Sequence, residues 1–141
     1  MKKHGNAVWQ GDLKTGTGEV STQSGAMDAV PYGFNKRFAD EPGTNPEELI
    51  GAAHASCFAM ALSMILGQEG LTPERLEATS TVSLEEKDGG FAITKAHLDL
   101  TARIPGADDD TFRRCAEAAK ENCPVSKVLA GAEITLEARL A

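Results

Sequence analysis

Alternation between apolar and polar residues predicts strands on both sides of one long helix. Near the N-terminus, short alternating stretches at residues 7–9, 18–22 and 32–35 predict three short strands separated by turns. In the second half the alternation is strict. It predicts two strands joined by a turn at residues 88–90, and a last strand at residues 134–140. Strands arranged around a long buried helix are typical of the α+β class.

The most apolar stretch of the chain predicts one helix from Asn45 to about Leu66. Asn45 is a favoured N-cap residue, and Pro46 suits the first helical position because its missing N–H would have no partner there. Gly67 and Gly70 are expected to end the helix.

This long helix is apolar nearly all round, which predicts burial on every side. Its length alone would also suit a membrane span, but Gly51, His54, Ser56 and Ser63 interrupt the apolar surface, so we do not expect one. Residues 51–56 are small and would let another helix approach closely. A second copy of the same helix is the natural candidate.

Two further helices are expected between the last two strands. Residues 109–121 carry apolar side chains at helical spacing, Cys115 among them, and a short helix should follow Pro124. On the strand before them, the even-numbered residues 96–104 are expected to face inward.

Length and charge limit the classes of protein to which this chain can belong. With 141 residues it is expected to form a single domain over residues 1–141. Its net charge of −7 argues against binding nucleic acid, whose phosphates attract basic surfaces. No apolar stretch of signal-peptide type follows Lys2 and Lys3, so we expect a cytoplasmic protein.

The three cysteines differ in their surroundings. Their odd number and the lack of a C-x-x-C spacing predict free thiols rather than a structural disulfide framework or a metal site. Cys57 lies in the most apolar run, where a thiol is normally inert. Cys123 precedes Pro124 and so lies near the N-cap of the short helix, where the helix dipole favours a thiolate. Cys115 falls on an apolar helical stripe and is expected in the core.

Several polar side chains near Cys57 have more than one interpretation. His54 precedes Cys57 by one helical turn, so a Cys–His nucleophilic pair is conceivable, but a hydrogen-bonded core histidine is the better interpretation. His97 is expected to be solvated, and Arg37 by itself would be a surface arginine on a strand. Glu47 precedes Cys57 by ten residues, about 15 Å of helix, so it could serve that thiol only from a second copy of the chain.

Three longer segments resemble a known family. They are PYGFNKRF at residues 31–38, GTNPEELIGAAHASCF at residues 43–58 and NCPVSKVL at residues 122–129. Together with the strand GFAITK at residues 90–95, they resemble the osmotically inducible protein C family, which includes the organic hydroperoxide resistance proteins. The likeness extends over essentially the whole chain and is greatest to the osmotically inducible branch, which carries an arginine in the first segment.

The resemblance implies an intertwined homodimer in which two long central helices are wrapped by antiparallel sheets. It also implies a peroxidase without metal, haem or other cofactor, which reduces organic hydroperoxides in oxidative and osmotic stress defence and is itself reduced by an external dithiol. The family's peroxidatic cysteine matches Cys57 and its resolving cysteine matches Cys123. Its supporting arginine and glutamate match Arg37 and Glu47, while Cys115 is an additional thiol.

Two other functions are compatible with parts of the sequence. One is a cysteine hydrolase that uses Cys57 and His54 for acyl transfer. The other is a dimeric module without enzymatic activity, which binds an apolar small molecule and in which both Cys57 and Cys123 are structural. Neither function requires two thiols together with Arg37.

Overall fold

The computed structural model describes all residues 1–141, which form two compact units, Met1–Leu49 and Ile50–Ala141. We call them the N-terminal unit and the C-terminal unit and describe each by itself. A three-stranded antiparallel sheet forms most of the N-terminal unit, in the order β1-β2-β3. Its strands are β1 (Gly5–Gln10), β2 (Thr17–Thr22) and β3 (Val30–Tyr32), so the first two predicted strands are confirmed.

The third predicted strand is only partly right. Strand β3 ends at Tyr32, and the next residues form a short helix, α1 (Phe34–Phe38), which carries Arg37. The backbone N–H of Arg37 donates to the carbonyl of Gly33 at 3.1 Å, as helical geometry requires. The rings of Phe34 and Phe38 lie 4.8 Å apart. Aromatic residues four positions apart meet on one face of a helix, and this contact explains why the segment is helical rather than extended.

Helix α2 (Pro46–Gln68) begins as predicted. The side chain of Asn45 accepts a hydrogen bond from the backbone N–H of Glu48 at 2.9 Å, which confirms the N-cap. The end differs slightly from the prediction because Gly67 is still helical. Gly70 adopts a φ of 74°, a left-handed conformation that suits glycine and turns the chain away from the helix.

Within one chain, α2 is buried along a single face. The buried residues are Gly51, His54, Phe58, Leu62 and Leu66, spaced three or four positions apart. Met60 and Met64, on the other side, are 75% and 61% exposed. The expected burial on every side is therefore not achieved by this chain alone. Helix α2 is long and apolar enough to cross a membrane, with a mean hydropathy of 1.8. The core helix of a soluble protein meets the same criteria of length and composition.

The C-terminal unit contains a second three-stranded sheet, in the order β4-β5-β6. Strands β4 (Arg75–Lys87) and β5 (Gly90–Arg103) pair antiparallel, whereas β6 (Glu133–Leu140) pairs parallel to β5. The expectation of purely antiparallel sheets is thus wrong for β6. The chain between β5 and β6 forms helices that return it to the starting end of β5, and such a crossover produces a parallel pair.

Two helices complete the core of the C-terminal unit. They are α3 (Asp109–Asn122) and α4 (Pro124–Val128), both close to their predicted positions. The core contains apolar residues of α2, α3 and β5. The residues that the alternation predicted to face inward are all buried, namely Ala96, Leu98, Leu100 and Ala102 of β5 and Ile104 directly after it. The predicted α+β class is confirmed.

Gly51 of α2 packs tightly against β4. A Cβ atom added to Gly51 would lie 2.7 Å from the backbone oxygen of Ser80. The small size of Gly51 therefore serves contact with the sheet of its own chain. Gly67, on the same helix, has no atom within 4 Å of the corresponding position.

We expect Gly51→Ala to lower the free energy of unfolding by about 1–3 kcal/mol, because a backbone atom must move to admit the methyl group. Gly67→Ala is the matched control and should raise it by about 0.5–1 kcal/mol, the usual gain of alanine over glycine in a helix. Urea denaturation of both variants measures the difference. Equal stabilisation by both changes would contradict the close approach of α2 to β4.

Candidate functional site

The two cysteines predicted to react are in contact within the C-terminal unit. Cys57 lies on α2 and is half-buried, whereas Cys123 lies between α3 and α4 and is fully buried. Both are reduced, and the side chain of Cys123 hydrogen-bonds with that of Cys57. The backbone N–H of Val125, in α4, also hydrogen-bonds to Cys57. The structure thus brings together two thiols that are 66 residues apart in sequence, from position 57 to position 123.

Burial makes Cys57 a weak acid. Desolvation raises the pKa of its thiol above the ordinary value because a thiolate is poorly solvated there. The hydrogen bond with Cys123 raises this pKa further, and the Val125 N–H opposes both effects. None of these contributions comes from a positive charge. Cys57 therefore needs a cation in addition to these neighbours if it is to react as a thiolate near neutral pH.

Cys115 has the structural role that its helical position predicted. It is fully buried in α3 and belongs to the apolar core. Desolvation raises the pKa of its thiol above the ordinary value. A buried thiol of this kind is unreactive.

Arg37 and Glu47 form a close ion pair within the N-terminal unit. Nε of Arg37 donates to both carboxylate oxygens of Glu47, at 3.2 and 3.0 Å, and Nη2 donates to Oε1 at 2.5 Å. These bonds raise the pKa of Arg37 above its ordinary value. The guanidinium also lies 5.4 Å from the centre of the Phe38 ring. Such a fork of hydrogen bonds holds the guanidinium plane in one orientation.

An apolar cleft of about 330 Å³ opens beside Arg37 within the N-terminal unit. Two of its lining residues, Trp9 and Tyr32, lie on β1 and β3, and their short strand patterns did not indicate a cleft. The Trp9 and Tyr32 rings lie 5.6 Å apart. The cleft is lined by Trp9, Leu13, Tyr32, Gly33, Phe34, Arg37, Phe38 and Pro46.

His54 is a hydrogen-bonded core residue, as the better interpretation predicted. Its ring is fully buried. Nδ1 lies 2.8 Å from the hydroxyl of Ser80, and Nε2 lies 2.9 Å from the hydroxyl of Ser126. Because serine hydroxyls occupy both nitrogens, His54 has no nitrogen left to act as a base for Cys57. This arrangement argues against the cysteine hydrolase.

His97 is more constrained than expected. It is half-buried on the sheet, and its Nδ1 lies 2.5 Å from the hydroxyl of Thr135. His97, Asp99 and Glu137 bring their possible metal-ligating atoms within 4.8 Å of one another. However, Arg139 forms ion pairs with both carboxylates. The carboxylates of Asp99 and Glu137 are already paired with the Arg139 guanidinium, so these residues form an ion-pair network on the surface.

Burial of His54 predicts a dependence of stability on pH. Desolvation lowers the pKa of His54 below its ordinary value of 6.5, so the unfolded chain takes up this proton first on acidification. The free energy of unfolding should therefore fall as the pH drops below about 6.5. Urea denaturation at pH 7.5 and 5.5 measures this, and His54→Gln should be less stable but less sensitive to pH in this range. An unchanged pH dependence in that variant would exclude His54 as the cause.

Comparisons with known proteins identify the family of this chain. The family described as OsmC-like protein matches residues 38–139. Over 140 residues, the chain is 56% identical to "Peroxiredoxin OsmC" of Escherichia coli (strain K12), which covers 99% of this chain and 97% of that protein.

More distant relatives share the fold. The chain is 29% identical over 115 residues to "Organic hydroperoxide resistance protein OhrB" of Bacillus subtilis (strain 168), covering 81% of this chain and 82% of that protein. The crystal structure of that OhrB covers 98% of both chains with a TM-score of 0.70. An OsmC-like protein of Vibrio cholerae, 15% identical, has a TM-score of 0.78 and covers 98% of this chain and 99% of its own. The chain belongs to the OsmC family.

Proposed function

We propose that this member of the OsmC family is a peroxidase that reduces organic hydroperoxides to alcohols, using Cys57 as the attacking thiol and Cys123 as the resolving thiol. The observation that carries the proposal is the contact between these two reduced thiols, one of them in apolar surroundings. Relatives named peroxiredoxin and organic hydroperoxide resistance protein support the same reaction class.

The proposal requires a cation near the sulfur of Cys57. Arg37 is the candidate because Glu47 holds its guanidinium in one orientation while leaving N–H groups for another acceptor. Glu47 and Cys57 lie ten positions apart on α2, about 15 Å of helix. We therefore propose that Arg37 and Glu47 of one chain serve Cys57 of a second copy.

A homodimer would also explain the exposed face of α2. Met60 and Met64 are largely exposed in the single chain, although the helix is apolar nearly all round. Large apolar side chains on a helix of this kind are usually covered by a partner. A second α2 would cover them and complete the burial that the sequence predicts.

In the first step, the Cys57 thiolate attacks the terminal oxygen of the hydroperoxide. The S–O bond forms as the O–O bond breaks, and the alkoxide takes a proton and leaves as the alcohol. Cys57 is then a sulfenic acid. Guanidinium donors of Arg37 would stabilise both the thiolate and the negative charge that develops on the leaving oxygen.

In the second step, Cys123 attacks the sulfur of the Cys57 sulfenic acid. A disulfide forms, and the hydroxyl leaves as water. An external dithiol then reduces the disulfide by thiol–disulfide exchange, which we place in the reducing environment of the cytoplasm. The existing contact between Cys57 and Cys123 supports this step because little movement is needed to join them.

The cleft beside Arg37 supports an organic substrate. Its walls are mainly aromatic and aliphatic side chains, and Arg37 is its charged residue. An alkyl or aryl hydroperoxide could bury its apolar part in such a cleft while its O–O group approaches the guanidinium. Hydrogen peroxide has no apolar part to bury and would gain nothing from it.

The first test is to identify the sulfurs that react. One equivalent of cumene hydroperoxide should produce a Cys57–Cys123 disulfide in the wild-type protein, detected by mass spectrometry of peptides. Cys123→Ser should instead accumulate a sulfenic acid on Cys57, and turnover with a dithiol should stop. Cys115→Ser is the matched control and should behave as the wild type, because Cys115 belongs to the core.

Recovery of both thiols unmodified would favour the non-enzymatic module. A disulfide that includes Cys115 would remove Cys123 from the resolving role. An acyl adduct on Cys57 after incubation with a thioester, without consumption of peroxide, would support the hydrolase.

The second test asks which chain supplies the cation. Arg37→Ala and Cys57→Ser homodimers should each lose peroxidase activity, the arginine variant by about 10²–10³-fold, since its N–H groups would stabilise developing charge. In a mixed dimer of the two variants, the Cys57 of one chain lies opposite the intact Arg37 of the other. Co-expression with two affinity tags would isolate this mixed dimer. It should regain about half of the wild-type activity, because one of two sites is complete.

An inactive mixed dimer would show that Arg37 does not act across the subunit interface. A fully active Arg37→Ala homodimer would remove Arg37 from the mechanism. Sedimentation of the wild-type protein as a monomer would contradict the proposed dimer directly.

A further inference from the structure

Two contacts between side chains join α2 to residues 123–128, and the proposed reaction uses one of them. The first is the contact between Cys57 and Cys123. The second is the hydrogen bond between Nε2 of His54 and the hydroxyl of Ser126, at 2.9 Å. Both partners of this second contact are buried, His54 completely and Ser126 to all but 3%.

The spacing of the two contacts is the same on both segments. His54 lies three residues before Cys57, and Ser126 lies three residues after Cys123. One helical turn therefore separates the two contacts on each side. Since the order is reversed between the segments, they run antiparallel past each other, and the imidazole–hydroxyl bond lies alongside the thiol pair.

This geometry points to Ser126 as a positioning residue for disulfide formation, and we propose that its bond to His54 sets the position of α4 along α2 so that the Cys123 sulfur meets the Cys57 sulfur. The proposal builds on the function proposed above and adds Ser126 and His54 to the resolving step. A buried hydrogen bond has few alternative partners, so it defines one register between two helices.

Ser80 offers a matched control. Its hydroxyl bonds to the other nitrogen of the same imidazole, at 2.8 Å, but Ser80 lies on β4 and not on α4. Ser80→Ala and Ser126→Ala each leave one nitrogen of the buried His54 without its serine. They differ because only Ser126→Ala removes the link to the segment that carries Cys123.

The experiment measures the rate of Cys57–Cys123 closure in wild type, Ser126→Ala and Ser80→Ala, by acid quenching and mass spectrometry. One arm uses one equivalent of cumene hydroperoxide. The other uses diamide, which takes two electrons and two protons from the two thiols and needs no peroxidase chemistry. Thermal unfolding of each reduced variant is measured first, and the assay temperature is set below the lowest unfolding temperature.

We expect Ser126→Ala to slow closure about tenfold in both arms, since small misplacements of reacting groups have effects of this size or more. The rate at which cumene hydroperoxide oxidises Cys57 to the sulfenic acid should not change, and this sulfenic acid should accumulate because resolution is slow. Ser80→Ala should close within about threefold of the wild-type rate, although it loses a comparable hydrogen bond. Ser126→Thr, which retains the hydroxyl, should lie between wild type and Ser126→Ala, and it serves as the second test if the alanine variant does not fold.

Unchanged closure in Ser126→Ala would overturn the proposal. Equal slowing in Ser80→Ala would also overturn it, because a general loss of stability would then explain the effect, and so would closure in Ser126→Thr as slow as in Ser126→Ala. If cumene hydroperoxide fails to oxidise Cys57 in the wild type while diamide closes the disulfide, the proposed function fails, and the diamide arm still decides the role of Ser126.

Discussion

Burial of the Cys57 sulfur is the constraint on which the proposed chemistry depends. Apolar surroundings disfavour the thiolate, and each pKa unit gained costs about 1.4 kcal/mol in forming it. The same surroundings suit a substrate with an apolar body. A site of this kind therefore works only if a cation compensates for desolvation without filling the space the substrate needs. A guanidinium held by a carboxylate meets this requirement because its charge persists at any physiological pH.

The groups required for the reaction are divided between the two compact units. The N-terminal unit contains the ion pair of Arg37 with Glu47 and the apolar cleft, and the C-terminal unit contains the thiol pair. Neither set is sufficient for the proposed reaction. The thiols have no cation among the groups that alter the acidity of Cys57, and the unit that contains the ion pair has no cysteine. In the proposed reaction a second copy would supply the cation, because about 15 Å of helix separates Glu47 from Cys57 of the same chain.

The features that the sequence could predict depend on local patterns. The Asn45 cap and the alternation along β5 involve neighbouring residues only, and both are confirmed. The direction of β6 could not be predicted because alternation looks the same in parallel and antiparallel pairs. The hydrogen-bond partners of His54 lie 26 and 72 residues away, so no local pattern predicts them. The equal three-residue spacings, from His54 to Cys57 and from Cys123 to Ser126, were present in the sequence. The sequence of α2 predicts an apolar surface, but it does not show whether the same chain or a second copy covers that surface.

The backbone of Cys123 is held by both of the helices that flank it. Cys123 is the single residue between α3 and α4, and its φ of −55° and ψ of 124° are extended rather than helical. Its N–H donates to the carbonyl of Ala119 at 2.9 Å, and its carbonyl accepts from the N–H of Lys127 at 3.1 Å. Meanwhile Ser126 holds the following turn against α2 through His54. A residue bonded to both helices and followed by an anchored turn keeps its sulfur beside Cys57, so the proposed disulfide would require little movement of α4.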